Sequence, residues 1–243
     1  MSQEYCVLLP TYNNAQTIRQ VIADVQTITR DIIVVNDGST DETLTYLAQY
    51  PDLNVVTYPV NKGKGHALRQ GFKEARRLGY RYAVTMDTDG QHYASEIPLF
   101  TEKVKEIPDS LIIGSRSLQQ ENMPGKNTFA NKFSNFWFHL QTFQNLPDTQ
   151  SGFRLYPIQK MQKMRFFTQR YEAELEMIVR SAWRFIPVIP IAISVYYPPK
   201  EERITHFRPF MDFFRITLLN TVLTFTAFLY FYPKWVVRRV EKG

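Results

Sequence analysis

The sequence predicts an α/β fold with a mainly parallel, mixed sheet and one apolar helical extension near its C-terminal end. Three observations support this fold class. Short apolar runs alternate with segments of helical spacing through roughly the first hundred residues, polar clusters follow the apolar runs, and residues 216–232 carry no charge. Strands that alternate with helices are typical of a sheet covered by helices on both faces, where ligands bind beyond the carboxyl ends of the strands.

The individual elements follow from the apolar pattern. Buried strands are predicted at 6–10, 31–36, 53–58 and 82–86, with helices of three-and-four spacing between them. Further along, we expect a strand at 111–114, a turn and strand at 148–156, and helices at 129–143 and 171–185. The proline-punctuated, β-branched segment 186–197 is predicted to be a strand near a sheet edge.

The composition limits the classes of protein that fit. Hydrophobic residues make up 44% of the 243 residues, which excludes disorder over most of the length. The net charge of +6 suits nucleotides, nucleic acid or anionic lipid, without choosing among them. Cys6 is the one cysteine, so a cysteine zinc cluster is excluded, and we expect it to be a buried small hydrophobe. The first residues lack a signal-peptide pattern, which predicts a cytoplasmic location.

The uncharged segment 216–232 lies between basic residues and ends among aromatic ones. It is slightly shorter than a full membrane span. Three interpretations remain open: an anchor embedded in or lying on a membrane, a helix in an oligomer interface, and an ordinary core helix. The basic flanks favour a surface with anionic lipids; they are Arg208, Arg215, Lys234, Arg238, Arg239 and Lys242.

A pair of aspartates directly after the fourth strand points to a metal site. Asp87 and Asp89 alternate at a strand end, so both carboxylates can point into one cleft, where like charges need a counter-charge. A divalent cation supplies it, and oxygen ligands suit Mg²⁺ or Mn²⁺, which bind substrate phosphates. Gln91 follows closely and can add a ligand.

Two further loops have the character of nucleotide-binding segments. Asp37, at the end of the second strand, can accept from a nucleobase N–H, and Gly38 lets the chain turn sharply there. The glycine-rich run at 61–65 does not fit the ATPase phosphate-loop pattern, and the dinucleotide-binding glycine pattern is missing after the first strand. ATPase and dehydrogenase interpretations therefore lose their main support.

Taken in order, these segments resemble family-2 glycosyltransferases, and in particular the dolichyl- and polyprenyl-phosphate sugar synthases. The resemblance covers roughly residues 5 to 200 and rests on five ordered runs: Pro-Thr-Tyr-Asn at 10–13, Val-Asn-Asp-Gly-Ser-Thr-Asp at 35–41, Asn-Lys-Gly-Lys-Gly at 61–65, Asp-Thr-Asp-Gly-Gln-His at 87–92 and Ser-Gly-Phe-Arg at 151–154. It implies a nucleotide-sugar-binding domain of the GT-A type at 1–200, followed at 201–243 by a flexible basic loop and an apolar helix that associates with a membrane or with another copy.

The resemblance also implies roles on the donor side of the site. Asp87 would face the ribose and diphosphate, while Asp89 and Gln91 would hold Mg²⁺ or Mn²⁺ on the diphosphate. Lys64 would contact the nucleotide. The residues expected to form the wall around the nucleobase are Pro10, Tyr12 and Asp37.

On the acceptor side, the resemblance implies that Arg116 receives the acceptor phosphate. Asp148 and the segment 151–154, with Arg154, would line that side, and Glu174 and Glu176 would form an acidic pair on the helix below. The sequence departs from the branch in two segments. Lys126 is the clear cation at 123–127, and the late basic loop presents Arg203, His206 and Arg208, which can clamp a diphosphate.

The function implied is inverting, metal-dependent transfer of a sugar from a nucleotide-diphosphate donor to a lipid, with polyprenyl phosphate as the expected acceptor, at the cytoplasmic face of a membrane. A lipid phosphate is already ionised, whereas a hydroxyl-bearing lipid or glycan would need a general base, for which Asp148 is the candidate. Two interpretations from other classes are a nucleotidyltransferase and a non-catalytic, membrane-associated nucleotide-sugar-binding protein. We expect no nucleic-acid partner, and a homo-oligomer formed through the C-terminal helix is a further option.

Overall fold

The computed structural model describes residues 4–116, 125–197, 199 and 208–241, with the backbone alone for 125–130 and 209. The strands within these residues are β1 (Tyr5–Thr11), β2 (Ile32–Asn36), β3 (Asn54–Thr57), β4 (Tyr82–Thr85), β5 (Leu111–Arg116), β6 (Arg154–Tyr156) and β7 (Val188–Ile193). The helices are α1 (Ile18–Gln26), α2 (Thr43–Leu47), α3 (Lys64–Arg77), α4 (Ile97–Glu106), α5 (Gly125–Thr142), α6 (Glu172–Trp183), α7 (Pro209–Thr226) and α8 (Tyr232–Val240).

The strands form one sheet in the order β3-β2-β1-β4-β6-β5-β7. The pairs β1–β2, β1–β4, β2–β3 and β5–β7 are parallel, and β6 runs antiparallel to both β4 and β5. The mainly parallel, mixed sheet expected from the sequence is therefore confirmed, and β7 lies at an edge as its prolines predict.

The two faces of the sheet carry separate hydrophobic cores because side chains alternate along a strand. On β1, Cys6 and Leu8 join the core with α3 and α6, whereas Val7 and Leu9 join the core with α1 and α4. Strands covered on both faces read as continuous apolar runs, which is why the sequence pattern reveals them. Cys6 is completely buried, as expected, and burial raises the pKa of its thiol.

The loops that follow β1, β2 and β4 converge at one edge of the sheet, as parallel strands require. Hydrogen bonds lock them together: the Asp37 amide donates to the Thr11 carbonyl, and Asn14 Nδ2 donates to Thr88 Oγ1 at 2.7 Å. The antiparallel strand β6 begins at this same edge, so the loop that contains Gly152 arrives there as well. This edge carries the candidate site.

One long helix, which we call the tail helix, ends the described chain. It comprises α7, one turn of π-helix at Ala227–Phe231, and α8. Of the described helices, only its 31-residue segment Phe210–Val240, whose most apolar 18-residue stretch has a mean hydropathy of 1.4, has the length and composition to cross a membrane. Pro233 follows the π-helical turn. Proline has no N–H to donate to the preceding turn, and its ring clashes with the carbonyl four residues earlier in a regular helix. A locally wider turn relieves that clash.

The inner face of the tail helix packs on α5 and α6. Its buried side chains recur every four residues: Leu219, Leu223, Ala227 and Phe231. A buried polar contact fixes the register, because Gln141 Nε2 donates to both the carbonyl and the Oδ1 of Asn220, each at 3.2 Å. The expected domain boundary near residue 200 stays a prediction, since 198 and 200–207 lie outside the described residues.

If the tail helix is an integral part of the fold, truncating its inner face will destabilise the whole protein. Leu223 is 1% exposed, so Leu223→Ala should lower the free energy of unfolding by about 2–4 kcal/mol, through lost burial and a residual cavity. Leu229, on the same helix, is 83% exposed, and Leu229→Ala should change stability by less than about 0.5 kcal/mol. Denaturant unfolding in mild detergent measures both variants, and equal effects would contradict the packing.

Candidate active site

A cavity of about 510 Å³ opens at the carboxyl edge of the sheet. The ends of β1, β2 and β4 and the start of α3 line it, together with the start of α6 and the residue before α7. Most of the residues expected on the donor side are brought together there: Pro10, Tyr12, Asp37, Lys64, Asp87, Asp89 and Arg208.

Asp37 shapes the cavity by holding the loop at 61–63. Its carboxylate accepts hydrogen bonds from the Lys62 amide at 2.8 Å, the Gly63 amide at 2.7 Å and Asn61 Nδ2 at 2.9 Å. Gly38 permits this close approach, because it has φ +70° and a Cβ there would lie 2.5 Å from the Asn61 amide nitrogen. Two of the sequence motifs thus form a single wall.

Lys64 lies between two carboxylates at the centre of the site. Its Nζ is 2.6 Å from Asp87 and 2.8 Å from Glu174. Lys64 begins α3, where the helix dipole disfavours a cation, and the two carboxylates offset this cost. Burial opposes the charge on Lys64, but the two acids outweigh it and raise its pKa. Burial would likewise raise the pKa of Asp87, but the Lys64 charge outweighs it and the pKa is lowered.

The ion pair between Lys64 and Asp87 depends on a glycine. A Cβ on Gly152 would lie 2.3 Å from Asp87 Oδ2 and 2.7 Å from Lys64 Nζ, so any side chain there would displace one of them. The Ser-Gly-Phe-Arg run thus places at this site a glycine, whose lack of a side chain leaves room for the ion pair.

Asp89 has the surroundings of a metal ligand. Burial, and then the charge of Asp87, raises its pKa to about 6. Among the described side chains no cation lies within ion-pairing distance of Asp89, and its Oδ1 accepts from the Gln91 amide at 3.1 Å. A carboxylate that is costly to ionise fits a divalent cation. Within the described residues, however, no three acidic, histidine or cysteine side chains gather into a metal cluster.

The expected ligand set of Asp87, Asp89 and Gln91 is therefore not assembled as three protein ligands. Asp87 is engaged by Lys64, and Gln91 contacts Asp89 through its backbone and does not line the cavity. Mg²⁺ and Mn²⁺ sites with one or two carboxylates are completed by substrate phosphates and water. Asp89, with Asp87 beside it, fits that kind of site.

Arg116 and Asp148 form a tight pair, and neither is among the residues that line the cavity. Arg116 Nε and Nη2 donate to the two Asp148 oxygens at 2.6 and 2.9 Å, and the amides of Arg116 and Gln150 also donate to that carboxylate. Asp148 is completely buried, and although burial alone would raise its pKa, the Arg116 contacts outweigh it and the pKa is lowered. This geometry does not support Asp148 as the general base, because a buried carboxylate that accepts from four donors is a poor acceptor for a further proton.

Arg154 is also corrected by the structure. It is completely buried, and its guanidinium donates to the carbonyls of Thr149, Ser151 and Glu174 and to the Tyr156 hydroxyl. All three nitrogens of its guanidinium donate to protein acceptors, so it stabilises the loop before β6 and is not exposed for a substrate. Glu176 has a similar structural role, accepting from the amides of Phe167 and Thr168 and from Arg180.

Three further expected residues lie wholly or in part outside the described residues. Arg203 and His206 lie outside the described residues, as does the side chain of Lys126. Two residues that line the cavity were missed from the sequence, Arg170 and Tyr171. No motif marks them, since they reach the site only because α6 packs across the start of α3. The acidic start of α6, with Glu172 and Glu174, was the available signal.

Comparisons with known proteins agree with this arrangement. The model of the family described as glycosyl transferase family 2 matches residues 6–165. Dolichyl-phosphate beta-glucosyltransferase ALG5D of Trichomonas vaginalis is 26% identical over 212 residues, which cover 77% of this chain and 64% of that protein. Glycosyltransferase AglJ of Haloferax volcanii is 29% identical, over 85% of this chain and 67% of that protein. The chain thus spans about two thirds of the length of these relatives.

Solved structures share the fold. Glucosyl-3-phosphoglycerate synthase from Mycobacterium tuberculosis, crystallised with Mn²⁺, UDP and phosphoglyceric acid, superposes with a TM-score of 0.68 at 17% identity over 93% of this chain and 78% of that one. S. aureus TarS with UDP-GlcNAc gives a TM-score of 0.60 at 16% identity, over 91% and 66%. At these identities the likeness establishes the GT-A fold alone.

Replacing Gly152 tests the central ion pair. Gly152→Ala should separate Lys64 from Asp87 and lower the affinity for a nucleotide sugar about tenfold or more, measured by thermal shift with Mn²⁺. Gly79→Ala is the matched control, because its Cβ would meet open space and adds only backbone strain. Unchanged donor affinity in Gly152→Ala would contradict the role given to this pair.

The raised pKa of Asp89 predicts a pH-dependent stability. The carboxyl pKa rises from 3.8 in the unfolded chain to about 6 in the folded one, so ionisation costs stability increasingly from pH 4 to 6 and fully above 6. Asp89→Asn should therefore raise the melting temperature of metal-free protein at pH 8, with little difference near pH 4. The exposed Asp52→Asn serves as the control. A melting temperature that falls at pH 8 would show that Asp89 is stabilised as an anion.

Proposed function

The chain belongs to glycosyl transferase family 2, and from this premise we propose that it transfers a sugar from a nucleotide-diphosphate donor to a polyprenyl phosphate at a membrane surface. The observation that carries the proposal is that one cavity joins two features. Asp89, which is costly to ionise, lines it from the loop after β4, and Arg208, directly before the apolar tail helix, lines it as well. The cavity thus connects the proposed metal-assisted donor site with the start of the apolar tail helix.

On the donor side, the described residues form a preorganised pocket. The loop held by Asp37 makes one wall for the nucleotide, and Tyr12 and Pro10 line the same cavity. Lys64 keeps its charge through Asp87 and Glu174, and Arg170 and Arg208 add positive charge to the lining. Because Lys64 is paired with Asp87 and Glu174, Arg170 and Arg208 are the lining cations that we assign to the diphosphate.

The leaving group is the nucleoside diphosphate, whose negative charge grows as the bond to the anomeric carbon breaks. A divalent cation held by Asp89, with Asp87 beside it, would offset that charge. Arg170 and Arg208, which line the same cavity, would act in the same direction. This preference for the transition state over the bound donor is what accelerates transfer.

On the acceptor side, Arg116 is the residue we assign to the lipid phosphate. Asp148 holds the guanidinium through two hydrogen bonds, which fixes its orientation before any ligand binds. A phosphate oxygen then attacks the anomeric carbon from the face opposite the leaving diphosphate. One bond forms as the other breaks, and the configuration is inverted.

A phosphate acceptor also suits the state of the candidate base, Asp148. A hydroxyl acceptor must lose a proton during transfer, and the candidate for that task, Asp148, is buried and bound to Arg116. A phosphate monoester is ionised already and needs no base. The relatives named for dolichyl-phosphate glucosyltransfer support the same choice. A cytoplasmic membrane face and a nucleotide-sugar partner complete the proposal, with no role for nucleic acid.

The decisive experiment measures sugar transfer to polyprenyl phosphate in vesicles, using a panel of nucleotide sugars with Mn²⁺ or Mg²⁺. Asp89→Ala should lower kcat by at least about 10²-fold while the protein stays folded, because the charge on the leaving diphosphate loses its stabilisation. The exposed Asp52→Ala should transfer at the wild-type rate. Full transfer in the presence of a chelator, or by Asp89→Ala, would contradict the metal-dependent mechanism. Binding of a donor without transfer to any acceptor would favour the non-catalytic alternative.

A further inference from the structure

The tail helix has no polar face. Opposite its packed side, exposed apolar side chains recur along its length, and Phe210 is 92% exposed. The outward residues are Phe210, Phe214, Leu218, Val222, Phe225, Leu229, Val236 and Val240. A continuous exposed apolar stripe of this kind marks a surface that is covered in the working protein. We call this stripe the outer face.

The threonines of the helix do not make the outer face polar. The hydroxyls of Thr217, Thr221 and Thr226 donate to the carbonyls four residues earlier, at 2.9, 3.0 and 2.8 Å. A hydroxyl that bonds to its own helix needs no water. The surroundings of the outer face can therefore be lipid without an unpaired polar group.

The inner face is fixed to the catalytic domain from one end of the helix to the other. Near the start, Phe213 stacks on Phe133 at 6.2 Å. Near the end, Arg238 lies 3.8 Å from the centre of the Phe185 ring. A helix that crossed a bilayer would have to leave these partners, or carry α5 and α6 into the hydrocarbon. With its whole length on the domain, the helix can offer lipid only its outer face.

Cations lie along the flank of the outer face. A groove of about 260 Å³ between α6 and the tail helix is lined by Arg165, Arg180 and Arg184 together with Tyr230. Lys234, Arg238 and Arg239 follow on α8, and the one acid between Phe210 and Val240 is the buried Asp212. Two copies packed through this face would bring the basic flanks together, whereas anionic lipid headgroups would neutralise them.

Resting on the proposed function, we infer that the tail helix lies in the plane of an anionic membrane, with its outer face in one leaflet, and does not cross the bilayer. Arg208 lines the donor cavity and stands two residues before the fully outward Phe210. The cavity therefore opens at the level of the headgroups. A lipid phosphate can reach it while the lipid tail remains in the leaflet.

The side of the membrane on which Glu241 lies distinguishes an in-plane helix from one that spans the bilayer. Full-length Glu241→Cys and Glu102→Cys are bound to sealed vesicles containing phosphatidylglycerol and treated with a membrane-impermeant maleimide. Glu241 and Glu102 are exposed, while the native Cys6 is completely buried and should stay unlabelled. We expect both variants to be labelled to the same extent without detergent. Labelling of Glu241→Cys only after detergent, with Glu102→Cys labelled throughout, would overturn the inference.

Charge insertion tests which surface touches the lipid. Leu229→Asp combined with Phe214→Asp should weaken binding to anionic vesicles about tenfold or more, and Leu44→Asp, on the exposed side of α2, should not. A soluble full-length protein that ignores anionic vesicles, as a monomer or a dimer, would overturn the inference. Sugar transfer measured on the same vesicles keeps the two proposals apart. If sugar is transferred while Glu241→Cys is protected from the maleimide, only the in-plane helix is refuted. If Glu241→Cys is labelled but no donor supports sugar transfer, only the proposed function is refuted.

Discussion

The ion pairs of Lys64 with Asp87 and Glu174 are the contact on which the site depends. They join the start of α3, the end of β4 and the start of α6, and Gly152 must lack a side chain for them to form. Glu174 is buried and Lys64 and Asp87 are partly buried, so removing one member leaves a charge without its partner. Lys64 pairs with Asp87, whereas Asp89 has no cation within ion-pairing distance among the described side chains. The same contact thus leaves Asp89 as the carboxylate that we propose for the metal.

A second set of charges, around Asp148 and Arg154, organises the segments that we propose for the acceptor side. Asp148 holds Arg116, and Arg154 ties the loop before β6 to the carbonyl of Glu174. Each charge is matched by several hydrogen bonds, which is the condition under which burial of a charge is tolerated. The loop is therefore rigid before a substrate arrives. A preformed guanidinium loses little conformational freedom when it receives a phosphate, and the donor and acceptor sides are held by neighbouring segments of one sheet edge.

The tail helix connects the site to the proposed place of action. Its inner face contributes Leu223 and Phe231 to the same core that contains α3 and α6, and its outer face is apolar too. The apolar outer face is unsuited to contact with water. The inner face, which is packed on the protein, is unsuited to full immersion in lipid. An interface position satisfies both faces. Because the helix begins beside the cavity, in the proposed arrangement this one element sets both how the protein lies on the membrane and how far the cavity is from the lipid headgroups.

The sequence by itself determined the strands, the sheet class, the loops that converge on its edge and the candidate metal ligand Asp89, because these depend on local periodicity and on the order of strands. It did not determine which charged residues face a substrate. Arg154 and Asp148 lie in segments typical of a binding site, yet the structure engages both with protein, and Arg170 and Tyr171 enter the cavity without any motif. It also left the tail helix among three environments. Which residues line the cavity, and which face of the tail helix is packed, depend on partners distant in the chain, so only the packing of α6 across α3, and of α5 and α6 against the tail, decided them.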